Sequence, residues 1–344
     1  MNTQITIKDI ASKLSVSPST VSRALKDHPD ISDATKKAVK DLAEEWDYQP
    51  NSIALSLRSR RSNIIGVIVP QIVHHFFSTV ISGIEDVAYD AGYNVMVCQS
   101  NEKYEREKAD INALVSSRAE GLLVSFSKET KDFEHLLRLQ KKGIPLVFFD
   151  RISEDMDTSS VIVDDYGGAY RATEHLIEQG CRRIAHLAGP KHLLLSQNRL
   201  DGYQEALEKH NVPFDPSLVV ECDDELTVTP DKGIEQTLNL LNLPERPDGV
   251  FANNDMTAIG AIKAIQSQGL EVPEDIAVVG YSDWLLSAMM EPSLTMVAQP
   301  GYEMGKAAAE ILLKQIGAPE GKMEMDSRIL ETELIVRQSS LRKK

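Results

Sequence analysis

Cysteine is scarce: Cys98, Cys181 and Cys222 are the only three in 344 residues, and none stands at the short spacing of a metal knuckle. Scattered, odd-numbered thiols exclude a disulfide scaffold and fit a reducing compartment. Long apolar runs are missing too. None nears the roughly 20 residues that cross a bilayer, and the polar N-terminus carries no export signal. A cytoplasmic protein with no membrane partner is the expectation. Nucleotide and hydrolase signatures are also absent. No G-x-G-x-x-G follows an apolar run, and no H-E-x-x-H or G-x-S-x-G occurs. The segment GYEMGKA, from Gly301, is one residue short of a phosphate loop and lacks Ser or Thr after Lys306. His74 and His75 are adjacent, so they cannot share one helix face as a metal pair. No catalytic group, metal or cofactor is therefore expected.

Basic charge is in short supply as well. With 37 Lys and Arg against 52 Asp and Glu, the net charge of −15 argues against a protein that coats nucleic acid or anionic membrane without selectivity. The distribution is uneven. Residues 1–61 hold ten basic and eight acidic side chains, net +2, and the remainder is net −17. The length suits two or three domains with a large core.

The most informative stretch runs from Ile5 to Leu25, ITIKDIASKLSVSPSTVSRAL. It reads as two short helices joined by a tight turn. Thr6 caps the first, with Asp9 three residues on approximating a capping box. Ile7, Ile10, Ala11 and Leu14 make one apolar face. Ser15 stands in the turn, where Gly is usual because it reaches φ > 0 without steric cost. Ser17 caps the second helix and Pro18 occupies its first turn. Val21, Ala24 and Leu25 face inward, leaving Pro18, Ser19, Ser22 and Arg23 outward, where a helix-turn-helix meets base edges and phosphates. A third helix, Asp33 to Trp46, is expected to face inward through Ala34, Ala38, Leu42 and Trp46. After Pro50, Asn51 can cap a short helix to about Arg58. Its Ile53, Ala54, Leu55 and Leu57 are apolar, and Arg58, Arg60 and Arg61 follow at once. So short a helix is unstable alone in water. It is expected to order only against something else, such as a second copy of itself and a polyanion.

Beyond Asn63 the pattern changes to alternating strands and helices: IIGVIVP (64–70), NVMVCQS (94–100), GLLVSFS (121–127) and PLVFFD (145–150). SSVIVDD (159–165) then begins a second set, with RIAHLAG (183–189), LVVECD (218–223), GVFANND (249–255) and IAVVGYS (276–282). Continuous apolar runs are strands buried on both faces of parallel sheets. Two such sets imply two similar doubly wound lobes with a cleft between them.

TIKDIASKLSVSPSTVSRAL, HPDIS, YQPNSIALSLRSRRSN and IIGVIVP together resemble the lactose-repressor (LacI/GalR) family of bacterial transcription regulators, over essentially the whole chain. The resemblance implies an α/β protein with an all-α helix-turn-helix headpiece and a hinge helix. A two-lobed, periplasmic-binding-protein-like body of parallel sheets follows. The expected boundaries are residues 1–50 for the headpiece, 51–62 for hinge and linker, and 63–344 for the effector and dimerisation domain. Within that domain, lobe one is expected at about 63–158 plus 296–325, and lobe two at about 159–295 plus 326–344. The resemblance makes Leu57 the leucine that wedges into the minor groove at the centre of a palindromic operator. The residues expected to meet DNA are Thr6, Ser17, Pro18, Ser19, Thr20, Ser22, Arg23, Asn51, Leu57 and Arg58. Arg23 suits guanine, and Thr20 and Ser22 suit phosphate.

Ligands of open parallel sheets lie beyond the C-terminal ends of the strands. Aromatic and hydrogen-bonding residues there suit a polar ring such as a sugar. Those expected to line the site are His75, Phe76, Phe77, Ser125, Asp150, Arg151, Asn198, Arg199, Asn254, Asp255, Ser282, Trp284 and Gln299. The resemblance itself points to Phe76, Phe77, Asp150, Arg199, Asn254 and the neighbourhood of Trp284. Many family members carry Asp directly after the aromatic of the GY segment; here Ser282 takes that place and Asp283 follows. A free-standing sugar-binding protein would share the lobes but lack the first sixty residues and need an export signal. The expectation is a homodimeric, non-enzymatic repressor of transcription that binds palindromic DNA under control of a sugar-like effector. Whether the effector releases or recruits DNA is open, and the coupling typical of such control is about 1–3 kcal/mol. Leu57→Ser is expected to weaken operator binding more than non-specific binding, as read by titration of both DNAs at one salt concentration.

Overall fold

The computed structural model describes residues 5–48, 61–222, 229–319 and 323–343. Asn51, Leu57, Arg58 and the expected hinge helix lie outside the described residues. The chain divides into two compact units at Ser62 and Asn63.

The first unit holds α1 (Ile7–Lys13), α2 (Pro18–Leu25) and α3 (Asp33–Glu45). At the start of α1, the Thr6 N–H and hydroxyl donate to Asp9 at 2.8 and 2.7 Å. Those bonds hold the Asp9 carboxyl below its usual range. Ser17 caps α2 by accepting from the Thr20 N–H at 3.1 Å, and Ser32 caps α3 from Thr35. Ser15 adopts φ +54°, the left-handed conformation that Gly usually fills in this turn, at a cost on the order of 1 kcal/mol. The core is Ile10, Ala11, Val21, Ala24, Val39, Leu42 and Ala43. Here the structure corrects the expected face of α3: Ala34 and Ala38 are exposed, and Val39, Leu42, Ala43 and Trp46 turn inward. That set has the 3–4 spacing of a face packed on two helices, whereas a strict step of four drifts around the cylinder.

The second unit contains two six-stranded sheets. In the first, β1 (Ile64–Val69), β2 (Asn94–Gln99), β3 (Gly121–Val124), β4 (Leu146–Phe149) and β5 (Ser159–Val163) are joined by β11 (Ser327–Leu330), in the order β11-β5-β4-β3-β1-β2. The second sheet comprises β6 (Ile184–Ala188), β7 (Val219–Glu221), β8 (Gly249–Ala252), β9 (Ala277–Tyr281), β10 (Thr295–Ala298) and β12 (Glu333–Ile335). Its order is β12-β10-β9-β8-β6-β7, and only β12 runs antiparallel.

Both faces of each sheet are covered, which explains why the strands read as unbroken apolar runs. In the first lobe Ile65, Val67, Val69, Leu123, Val147 and Phe149 point to one side. Ile68, Leu122, Val124, Leu146 and Phe148 point to the other. The period of two is that of any strand. Around the sheets lie α4 (His75–Asp90), α5 (Tyr104–Ser116), α6 (Glu134–Lys141), α7 (Asp165–Glu178), α8 (Leu194–Lys209), α9 (Asp231–Leu241), α10 (Asp255–Ser267), the short α11 (Leu285–Met289) and α12 (Gly301–Gly317).

The lobe boundaries differ from those expected. β5 pairs with β4 in register Phe148–Ser160, so residues 159–163 close the first sheet instead of opening the second. β11 likewise joins the first sheet beside β5, and β10 joins the second beside β9. The chain therefore crosses between lobes three times, after Val163, after Ala298 and after Leu330. Alternation along the sequence shows that a strand is followed by a helix; it does not show which sheet that strand pairs with. α12 returns to the first lobe as expected. It packs on α4 through Gly83 and Gly305, where an added Cβ would collide with the carbonyls of Tyr302 and Val80. Gly305→Ala is expected to destabilise the body by about 1–3 kcal/mol through overpacking, measured by chemical denaturation of the purified protein.

Candidate functional site

Two surfaces carry chemistry, one in each unit. On the headpiece, Pro18, Ser19 and Arg23 are exposed along the front of α2, and Thr20 and Ser22 are half-buried beside them. The hydroxyls of Ser17, Ser19 and Thr20 are already linked, at 2.6 Å for Ser17–Ser19 and 2.9 Å for Ser17–Thr20. Thr6, at the start of α1, is exposed but held by Asp9. A helix start that gathers three hydroxyls and leaves an arginine exposed can bind phosphate at one end and reach a base edge at the other.

In the body, the strand ends converge on a cavity of about 130 Å³ between the lobes. Of the expected residues, Phe76, Phe77, Asp150, Arg151, Arg199, Asn254, Asp255, Ser282 and Gln299 line it. Four do not. The Ser125 hydroxyl donates to Asp150 at 3.3 Å, one layer back. His75 instead stacks on Trp284 with ring centroids 6.3 Å apart, bridging the lobes. Asn198 is half-buried on α8 but absent from the wall. Its neighbour Arg199 points inward, and adjacent helical residues diverge by about 100°.

Arg199 is almost fully buried. It donates to Asp165 at 2.7 Å and to the Asn253 carbonyl at 2.6 Å, and its guanidinium lies 3.7 Å over the Tyr281 ring. Burial alone would weaken its hold on the proton; Asp165 more than restores it. On the facing lobe Arg151 forms a fork with Glu102 at 2.7 and 2.8 Å and donates to the Phe126 carbonyl. Burial alone would raise the Glu102 carboxyl, but Arg151 outweighs it and holds it below the ordinary value.

Asp150 and Asp255 are different. Burial pushes each carboxyl up to about 6. Asp150 and Ser282 both sit at positive φ, +63° and +71°, a strained backbone found where side chains are aimed for function. Asn254 caps α10 by accepting from the Thr257 N–H at 2.7 Å. Asp283, the next residue after Ser282, is turned away and forked to Arg337 at 2.8 and 2.9 Å. Ser282 therefore faces the cavity at that corner.

Further wall residues were not among the expected set: His74, Glu102, Lys128, Pro190, Leu193, Leu195, Ser196, Cys222 and Asn253. Glu102 follows β2 and Cys222 follows β7, so the strand-end rule applied to every strand finds them. Leu193 and Ser196 lie one or two turns ahead of Arg199. Leu193 crosses to join the apolar cluster of Phe126 and Phe133 in the first lobe, and His192 hydrogen-bonds the Lys128 carbonyl at 2.5 Å. Buried polar atoms facing this region lack partners: Ser196 Oγ, Asn253 Oδ1, Gln299 Nε2 and Arg151 Nε. Orphans of this kind are costly unless a ligand or water completes them. Among the described residues no group of three or more His, Cys, Asp or Glu could hold a metal ion, and no helix is long and apolar enough to cross a membrane.

A helix-turn-helix unit joined in one chain to a two-sheet body with a cavity at its strand ends defines a class: regulators with a periplasmic-binding-like body. Residues 6–51 match the sequence model of bacterial regulatory proteins, lacI family, and residues 173–340 match that of the periplasmic binding protein-like domain. The chain is 34% identical over 338 residues to the HTH-type transcriptional repressor CytR of Escherichia coli strain K12, covering 98% of this chain and 97% of that one. Its fold superposes on the lac repressor dimer bound to operator and the anti-inducer ONPF. The TM-score is 0.86 at 28% identity, over 98% of this chain and 100% of that one. The transcriptional regulator CelR in complex with cellobiose matches with a TM-score of 0.74 at 30% identity, over 97% and 99%. The chain belongs to the lacI family of bacterial regulatory proteins. CytR and the lac repressor are repressors of transcription, not enzymes.

The raised carboxyls have a measurable consequence. Asp255 is protonated in both folded and unfolded chains below about pH 4, so it contributes nothing differential there. As pH rises past 6 it ionises in the folded protein too, at the cost of burying a charge, and stability is lost across that interval. Asp255→Asn is expected to raise stability by about 1–3 kcal/mol near pH 7.5 and to leave it unchanged near pH 4, read from melting curves at the two pH values.

Proposed function

We propose that the protein is a cytoplasmic, homodimeric, sequence-specific repressor whose operator affinity is set by a small polar ring compound, a sugar or sugar derivative, held between the two lobes. Residues 1–50 serve as the DNA-reading headpiece, 51–62 as the hinge and 63–344 as the effector and dimerisation domain. Each headpiece reads a half-site of a palindrome through Pro18, Ser19 and Arg23. Ser17, Thr20 and Ser22, with Thr6, fix register on phosphates. Asn51, Leu57 and Arg58 act at the centre of the operator, with Leu57 as the minor-groove wedge.

The observation that carries the ligand side is the cavity whose buried polar atoms lack partners. Aromatic walls at Phe76 and Phe77 suit the C–H face of a ring, and Asp150, Asn253, Asp255 and Gln299 suit its hydroxyls. The complex of CelR with cellobiose supports the same ligand chemistry. Because both lobes line the cavity, a ligand that prefers one arrangement of the lobes shifts the population toward it. The first lobe begins with β1 directly after the hinge, so its position bears on whether paired hinges can form. The operator-bound dimer of the lac repressor supports the palindromic reading.

An operator selected from random duplex tests the DNA side. Arg23→Ala is expected to reduce preference for it over random DNA by about 1–3 kcal/mol, by anisotropy titration, and an unchanged footprint would refute the role. A thermal-shift screen of sugars and sugar derivatives tests the ligand side, since a native-state ligand raises the melting point. Gln299→Ala is expected to blunt the response to any compound so found while sparing operator affinity without ligand.

A further inference from the structure

We propose that the inter-lobe cavity selects an uncharged ring compound and rejects its phosphorylated or carboxylated forms, so the protein senses its ligand only before an anionic group is attached. This deepens the effector reading given above and rests on it. Anion recognition needs cationic donors whose charge is not already spent, and both arginines of this wall are matched by carboxylates of their own lobes. Arg151 is committed to Glu102 and the Phe126 carbonyl. Arg199 is committed to Asp165 and the Asn253 carbonyl. The third cation on the wall, Lys128, shares its field with Glu102 and Glu129, lowering both carboxyls.

Against these stand two further carboxyls from opposite lobes. The nearest cation to Asp150 is Arg151, whose Nε is 3.9 Å away. Asp255 accepts from the adjacent Met256 N–H at 2.7 Å. A helix N-terminus could still receive an anion. At α10, however, Asn254 and Asp255 occupy the first-turn N–H groups of Thr257 and Met256 with their own oxygens. A phosphate entering here would face two carboxylates in a site of low polarity, where like charges repel more strongly than in water. Burial that raises both carboxyls works the same way, since the wall already resists negative charge. An uncharged ring instead brings hydroxyl donors to Asp150, Asp255 and Asn253 Oδ1 and an acceptor to Gln299 Nε2. The Asn253 and Gln299 orphans are then paired without adding charge.

The test uses the full-length protein near neutral pH at constant ionic strength. Ribose, glucose and adenosine are compared with ribose 5-phosphate, glucose 6-phosphate, gluconate and adenosine monophosphate, by thermal shift and calorimetry. Any neutral compound that binds is expected to lose roughly 100-fold in affinity on acquiring the anionic group; a charged form binding as tightly as its parent overturns the proposal. Inorganic phosphate supplies an arm independent of the ligand. Wild type is expected to show no saturable rise in melting point with phosphate, and a saturable response in wild type overturns the proposal. Silence toward every organic compound counts against the effector reading, while the phosphate arm still decides the question of charge.

Discussion

The body depends on one buried ion pair. Arg199 on α8 reaches Asp165, the residue at which the chain has just crossed from the first sheet into the second lobe. The same guanidinium holds the carbonyl at the end of β8 and rests on the Tyr281 ring at the end of β9. One side chain thus ties a helix, a crossover and two strand ends into the wall of the cavity. A charge buried this deeply is tolerable only because its donors are satisfied, and removing either partner would strand the other. The pair therefore fixes position more than it adds stability.

The facing wall repeats the device with different residues. Arg151 forks onto Glu102, and Glu102 in turn accepts from the Lys128 N–H at 2.7 Å, so the loops after β2, β3 and β4 are locked together. Between these two spent arginines lie the unspent groups: Asp150, Asp255, Asn253 and Gln299. Rigid, self-satisfied walls with a few unpaired polar atoms in the gap are what a preorganised binding site requires. His192, Leu193 and the His75–Trp284 pair span the lobes around that gap. A ligand that touches both lobes acts on those contacts as well.

Much of this was legible in local chemistry. The caps at Thr6, Ser17 and Ser32 occur where the sequence places them, because a cap needs only a side-chain oxygen and the next turn's N–H. Strands β1 to β9 were found as apolar runs, and the strand-end rule found Asp150, Arg199, Asn254 and Gln299. Ser15 shows the limit of such rules, for the turn forms with Ser at positive φ and carries the strain. Ala34 and Ala38 show another, since several spacings along α3 are apolar and only packing against α1 and α2 selects one. The short strands 295–298, 327–330 and 333–335 went unread because their apolar runs are brief and each is recruited to an existing sheet edge or neighbour.

Residue order and residue type alone determined the helix-turn-helix, the alternating α/β body, the absence of metal and nucleotide signatures, and which chain segments end in polar groups. All of these are set by neighbours within a few residues, where periodicity, capping and turn preference act directly. Tertiary structure alone decided that β5 and β11 close the first sheet, that Asp283 turns to Arg337, and that Glu102 and Arg151 neutralise one another. Those outcomes join residues as far apart as 167 positions in the case of Ser160 and Ser327 across the β5–β11 edge. Strand pairing and charge pairing over such separations depend on which partners the folded chain brings within reach, and no local pattern encodes that choice.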